Sequence, residues 1–413
     1  MNNPKVRTDK KIINRILNKA VEQILPSREE FEKRLYSEER LNIYQGFDPT
    51  APTLHIGHTV MMRKLEDFRK LGHNVIFLIG DFTARIGDPS DKNEARASAR
   101  KVLTKEEVDE NLKVYVDQAS HIIDIYNKEN PIQILYNSKW LEPLNFADIL
   151  SLTSEFTVQQ ILKRKMFQKR LEEDKPIFLN EFLYPVMQGY DSVMMDIDIE
   201  LGGNDQLFNM LAGRDMIRNH LNKEKLVMTG KLLTTAHGDK MGKSEGNMIK
   251  LSDNAQEIYG KVMAFTDEQI VTGFELLTNA EMSEVEEIQN RLSSGENPMI
   301  LKKELALMLT SELKNPIEAK AAQEYFETVF QKKSLETDIT EKKVNNEQYI
   351  ITDLIVKLDL APSKSQARRL VEQGAVKMDD SKISDWQVTI SFKQPHILKV
   401  GKKLLKVTYQ PKP

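Results

Sequence analysis

A chain of 413 residues is long enough for two or three domains and a sizeable catalytic core. Its hydrophobic fraction of 40% holds no run near the roughly 18 apolar residues of a membrane span, and the opening MNNPKVRTDKK lacks a secretory apolar stretch, so a cytoplasmic protein with no membrane partner is expected. Cysteine is absent, which excludes disulfides, thiol nucleophiles and thiolate zinc sites, and the net charge of −3 hides a basic tail in which, from Lys364 onward, eleven lysines and arginines face four carboxylates.

In chain order, residues 1–40 read as a helical extension around the basic, amphipathic KIINRILNKA. Five β-rich runs then recur among helical stretches: LNIYQGF (41–47), HNVIFLIGD (73–81), PIQIL (131–135), IDIEL (197–201) and KLVMT (225–229). Strands spaced by helices of ten or more residues predict right-handed βαβ units, hence an α/β domain over 41–251 with a parallel five-stranded, Rossmann-like sheet. The helix after the first strand, roughly 57–71, carries Val60, Met61, Lys64, Leu65 and Phe68 on one side, with Gly72 as its stop. From 252 to 332 the pattern is helical only, and the pairs Asn297-Pro298 and Asn315-Pro316 each mark a helix start. A polar linker is expected over 333–348, followed by a small α+β domain over 349–413 with two short helices, a stop at Gly374 and a strand.

Ligands of parallel sheets sit at the carboxyl ends of the strands, beside helix N-termini. Thr50, His55 and His58, in GFDPTAPTLHIGHT, crowd that edge after the first strand. Imidazole N–H donors added to the free backbone N–H groups of a helix start suit a nucleotide phosphate; half of a metal site is the alternative, but no third ligand follows at a suitable spacing. A second basic element, GDKMGKSEGNM, sets Lys240 and Lys243 in a glycine-rich segment after the fifth strand, where ammonium groups can close onto polyphosphate as point charges. In FLYPVMQGYDSV, Tyr184, Gln188 and Asp191 fall at i, i+4 and i+7, a polar stripe suited to a small zwitterion. Tyr44 on the first strand and Asp88 in IGDPSD lie near the same edge. Each also has a plain structural reading: Tyr44 as a packed aromatic, Asp88 as a turn or cap, the stripe as a helix surface.

HIGH after the first strand and KMGKS after the fifth resemble the paired signatures of the class I aminoacyl-tRNA synthetases. The family pattern is KMSKS; here Gly242 stands in the middle, while Lys240, Lys243 and Ser244 remain. Through YQGFDPTAPTLHIGH, IGDPS, YPVMQGYD, GGNDQLFN and KMGKS the chain is similar to the tyrosyl-tRNA synthetases of bacterial type. That resemblance implies that Tyr44 and Asp191 bind the phenol of tyrosine, and that Asp88, Tyr184 and Gln188 hold its amino group. It further implies that Gln206 lies by the carboxylate, Gly203 and Asp205 meet the ribose, and Asp48 positions substrate and nucleotide. Thr50, His55, Gly57 and His58 would serve one side of the ATP phosphates, and Lys240, Lys243 and Ser244 the other. Leu207 departs from the tryptophan of one branch, so that contact does not transfer. The implied substrates are ATP, L-tyrosine and tRNA(Tyr), with Mg2+ on the ATP, no dedicated metal site and a homodimer as the working form.

The tail SKSQARRLVEQGAVKMD resembles an RNA-binding module first known from a small-subunit ribosomal protein, which gives Lys364, Arg368 and Arg369 to RNA phosphates. The inserted region, about 120–195, would form the dimer contact and lie near the acceptor arm. Its basic run Lys163, Arg164, Lys165, Lys169 and Arg170 would face RNA, or simply be a solvated helix face. The helical domain would meet the anticodon arm. A tryptophanyl enzyme and a noncatalytic RNA-binding paralogue are the rival readings, with a nucleotidyltransferase of similar fold behind them.

Overall fold

The computed structural model describes residues 4–89, 104–233, 248–331, 340–379, 381–392, 394–401 and 403–410. They fall into two compact units, Met1–Phe326 and Glu327–Pro413.

In the first unit, Val21–Leu25 (β1), Asn42–Phe47 (β2), Asn74–Ile79 (β3), Gln133–Tyr136 (β4), Ile199–Gly203 (β5) and Leu226–Gly230 (β6) form one sheet, ordered β1-β6-β5-β2-β3-β4. The five expected strands are all present and mutually parallel. NVIFLI of β3 is apolar without interruption because helices and loops cover both of its faces, and five of its six residues are buried. The sixth strand is an addition to the expected sheet: β1 lies in the extension read as helical and pairs antiparallel with β6. Its Glu22 and Gln23 are exposed, so VEQIL shows no clean alternation, and backbone pairing at a sheet edge decides its conformation. The chain builds outward from β2 through β3 to β4 on one side and through β5 to β6 on the other. The topological switch therefore falls between β2 and β5, where a crevice opens at the carboxyl edge.

Three helices frame that crevice: Ile56–Lys70 (α1), Leu183–Met194 (α2) and Leu207–Leu221 (α3). Val60, Met61, Lys64, Leu65 and Phe68 of α1 are all buried, as their spacing predicts, and Gly72 takes the left-handed conformation, φ +88°, that ends the helix. Lys64 is the polar exception on that face. Its ammonium donates to the carbonyls of Arg15, at 2.5 Å, and Ile16, at 2.8 Å, near the end of the helix Lys10–Asn18, and burial pushes its pKa down to about 7. The five helices between Ala255 and Phe326 add their apolar faces to the core that α1 occupies. Asn297 and Asn315 both cap as expected, accepting from Met299 N at 3.0 Å and Glu318 N at 2.9 Å.

The second unit has its own core, built around Ile351, Leu354, Ala367, Val376, Leu398 and Val407. Helices Ile351–Lys357 and Lys364–Glu372 are followed by Gly374 at φ +71° and the strand Val376–Met378. One expectation is corrected here. Thr340–Val344, within the stretch read as linker, pairs in parallel with Lys403–Tyr409 as an edge strand. Of its residues only Val344 is buried among those described, so composition gave no apolar signal for it.

Candidate functional site

A cleft of about 550 Å³ opens at the carboxyl ends of β2 and β5. From β2, the segment after it and the start of α1 it is lined by Tyr44, Asp48, Thr50, His55, Gly57 and His58; from the remaining elements come Asp88, Tyr184, Gln188, Asp191, Gly203, Asp205 and Gln206. All thirteen described residues expected at the centre of the site are thus brought together. Lys240, Lys243, Ser244 and Gly242 lie outside the described residues. The chain leaves the cleft wall at Lys231, Leu232 and Leu233, and returns beside α1, where Ile56 N donates to Ile249 O at 3.0 Å and Leu251 N donates to Leu54 O at 2.9 Å.

The two histidines cap α1. His55 Nδ1 accepts from Gly57 N at 3.1 Å, His58 Nδ1 accepts from His55 N at 3.1 Å, and the rings stack with centroids 3.8 Å apart. An Nδ1 that accepts leaves the proton of a neutral imidazole on Nε2, so each ring is a donor at its outer nitrogen. Added to the positive end of a fifteen-residue helix, that makes an anion site. Among the described residues no three metal-ligating side chains cluster, and no helix is long and apolar enough to cross a membrane.

At the inner end of the cleft, Asp191 accepts from Trp140 Nε1 at 2.7 Å and from Asn137 Nδ2 at 3.2 Å. Burial raises its pKa well above the ordinary carboxyl range, and those two N–H donors pull the other way. Asn137 also donates to Thr83 Oγ1 at 3.0 Å; Thr83 donates to Asp48 Oδ1 at 2.8 Å, and the Tyr184 hydroxyl donates to Asp48 Oδ2 at 2.9 Å. The helix stripe and Asp48, directly after β2, thereby share one polar floor. Gly80 permits it, because a Cβ there would lie 2.0 Å from Asp48 Oδ1. Gln206 donates to Asp88 Oδ2, so these two expected contacts of the substrate are already paired with each other.

Several polar residues of the site were not singled out from sequence. Asn137, Trp140 and Thr83 sit in short segments without periodicity. Glu200 and Lys225 did carry a signal, a carboxylate inside the buried strand IDIEL and a lysine at the head of KLVMT. Their side chains are 2% and 0% exposed and joined as an ion pair. Burial lowers the Lys225 pKa while Glu200 raises it, the burial being the larger effect.

The basic run of the inserted region divides in two. Lys165 and Lys169 are exposed, whereas Arg164 is buried over the rings of Phe208 and Phe167, and Arg170 is held by Glu181. Neither a solvated face nor an RNA face therefore describes the whole run. In the second unit, Lys364, Arg368 and Arg369 are exposed on one helix, with Arg368 over Trp386 at 4.4 Å and paired with Glu372, and Lys364 paired with Asp353.

The sheet is Rossmann-like, and a histidine-capped helix stands at its switch point. The chain belongs to the class I tRNA synthetases of the tryptophan and tyrosine type, whose model matches residues 36–331. The model of the tyrosine--tRNA ligase SYY-like C-terminal domain matches 331–405. Within the class the chain falls with the tyrosine--tRNA ligases: it is 41% identical to that of Thermotoga maritima over 391 residues, covering 94% of this chain and 95% of the relative. It is 38% identical to that of Moorella thermoacetica, covering 94% of each. The fold is also that of a C-terminally truncated mitochondrial tyrosyl-tRNA synthetase from Aspergillus nidulans, with a TM-score of 0.65 at 20% identity over 78% of this chain and 95% of that one.

Proposed function

We propose that the cleft between β2 and β5 is where this tyrosine--tRNA ligase activates tyrosine with ATP and passes it to tRNA(Tyr). The observation that carries the reading is the meeting in one cleft of a capped helix N-terminus, which suits phosphates, and the stripe Tyr184, Gln188 and Asp191, which suits a zwitterion with a phenol.

A carboxylate is a nucleophile at neutral pH, so the first step needs no general base. The tyrosine carboxylate attacks the α-phosphorus in line, a C–O–P bond forms, the bond to the bridging oxygen breaks, and pyrophosphate leaves with its electron pair. In the second step a terminal ribose hydroxyl of tRNA attacks the acyl carbon, an ester C–O bond forms, the acyl bond to the phosphate oxygen breaks, and AMP leaves with its electron pair as the hydroxyl gives up its proton. The protein's work is alignment and stabilisation of charge on the phosphates. His55 and His58 donate from Nε2, and Thr50 and the backbone at Gly57 complete that side. Lys240, Lys243 and Ser244 act from the opposite side as donors to the leaving pyrophosphate. Gly203 and Asp205 take the ribose. Mg2+ bound to the ATP would offset phosphate charge, and the imidazole and ammonium donors of this chain would meet the remaining oxygens.

For the amino acid, Asp191 and Tyr44 face the phenol. Gln188, Tyr184 and Asp88 surround the ammonium, Gln206 lies toward the carboxylate, and Asp48 ties the two substrates' subsites together. The working form is a homodimer in the cytoplasm. Supporting this, the inserted region exposes Phe146, Leu150, Phe178 and Leu179, apolar side chains 77%, 55%, 51% and 79% accessible, which a partner's surface would cover. Lys364, Arg368 and Arg369 contact tRNA backbone. The test is ATP–pyrophosphate exchange without tRNA: tyrosine-dependent exchange supports the reading, and exchange driven by tryptophan in its place overturns the pocket.

A further inference from the structure

Glu200 is the hub of a buried hydrogen-bond network beneath the amino-acid end of the cleft. Tyr44 and Glu200 are register partners on the parallel strands β2 and β5, so their side chains stand side by side on one face. Tyr44 donates its hydroxyl proton to Glu200 Oε1 at 2.6 Å, Gln188 Nε2 donates to the same oxygen at 3.0 Å, and Lys225 Nζ donates to Oε2. Lys225 also donates to Ser192 Oγ at 2.9 Å, and Ser192 Oγ lies 3.2 Å from the Tyr44 oxygen. A built chamber holds the ammonium: a Cβ on Gly213 would meet Lys225 Nζ at 2.5 Å and Ser192 Oγ at 2.7 Å. None of this is needed to make a strand, and a buried ion pair contributes little net stability compared with apolar residues of the same volume.

An ionised carboxylate can only accept. With Glu200 held as the carboxylate of an ion pair, the Gln188 amide must turn its NH2 inward, which leaves its carbonyl for the cleft. Likewise the single proton of Tyr44 is committed inward, which leaves an oxygen lone pair for the cleft. We propose that Glu200 and Lys225 are positioning residues that impose acceptor polarity on Gln188 and Tyr44, and so set the preference for an amino acid that brings both an ammonium and a phenolic O–H. The inference rests on reading the cleft as the tyrosine pocket. Under it, the phenolic O–H is the further donor that Asp191 and Tyr44 are placed to accept, and phenylalanine brings none.

The test uses the full-length chain and two variants, Glu200→Asp and the double variant E200Q/K225M. Glu200→Asp keeps the charge pair, so the fold is retained, but it draws the acceptor back from Tyr44 and Gln188. The double variant removes both charges together, so no unpaired charge is buried, and the amide can donate where the carboxylate could not. In ATP–pyrophosphate exchange, both folded variants are expected to lose at least tenfold in the ratio of kcat/KM for tyrosine over phenylalanine, with KM for ATP within twofold of the parent. A purely structural pair would leave that ratio intact wherever the variant folds, and an unchanged ratio in either variant overturns the proposal. Asp191→Ala, measured alongside, separates the two claims. If it loses the preference while the Glu200 variants keep it, only the positioning role falls; if all three keep it, the pocket reading falls as well.

Discussion

Asp191 meets the cleft with each carboxylate oxygen already engaged by one N–H, from Trp140 and Asn137. A phenolic O–H adds a third donor; phenylalanine adds none and displaces whatever water would serve. Leaving a buried polar group unmet costs roughly 1–3 kcal/mol, a factor of about five to about 160. Asp191→Ala and Tyr44→Phe are therefore expected to reduce tyrosine-over-phenylalanine preference by at least that lower factor, read as the ratio of kcat/KM values in exchange assays. Unchanged preference in both would remove the assignment. The stripe that carries Asp191 was legible because Tyr184, Gln188 and Asp191 repeat at helical spacing. Asn137 and Trp140, which orient its carboxylate, were not, since YNSKW has no period that reveals which way its side chains turn. A second residue-scale prediction concerns His73, fully buried, with Nδ1 accepting from Leu41 N and burial lowering its pKa to about 4. The ordinary value is 6.5, so the unfolded chain binds the proton first. Stability is complete above about pH 6.5 and is lost progressively as pH falls toward 4, by up to about 3 kcal/mol. In urea unfolding, His73→Gln should flatten that loss between pH 7 and pH 5; an equal slope in parent and variant would contradict it.

The contact between α2 and α3 shows how a whole element is fixed by what lies under it. Gly189 faces Met216, and Gly213 faces the ammonium of Lys225, so the helices approach at their glycines. Gly213→Ala would gain about 1 kcal/mol of helix propensity. It would also force the ammonium from its chamber, and overpacking of that kind costs about 1–3 kcal/mol. The expected outcome is a lower melting temperature together with a raised KM for tyrosine, measured by thermal unfolding and exchange; a stabilised variant with unaltered KM would show the chamber to be slack. Another element-scale prediction belongs to the KMGKS segment. Lys243→Ala should lower the rate of adenylate formation on the order of a hundredfold with little change in tyrosine binding, as rapid-mixing kinetics would report. Equal losses in both would point to general damage. Elements with apolar faces were readable in advance: α1, the five parallel strands and the Asn-Pro helix starts. β1 and Thr340–Val344 were not, because an edge strand draws its stability from backbone pairing with a partner distant in sequence, and its side chains can stay polar.

At the scale of the molecule, the chain falls into two compact units. The first unit contains the whole described cleft, and the second has its own core and the exposed basic helix. On the proposal that the second unit supplies phosphate contacts, removing 327–413 is expected to leave tyrosine-dependent exchange within a few-fold of the parent while transfer to tRNA falls sharply and loses much of its salt dependence. Comparable losses in both activities would instead make the second unit part of the catalytic machinery. The measurement that tests the central claim most directly is ATP–pyrophosphate exchange by the purified chain with tyrosine, phenylalanine or tryptophan supplied one at a time, with magnesium and without tRNA. Exchange with tyrosine alone is the predicted result; exchange with tryptophan in its place, or with none of the three by folded protein, would contradict it.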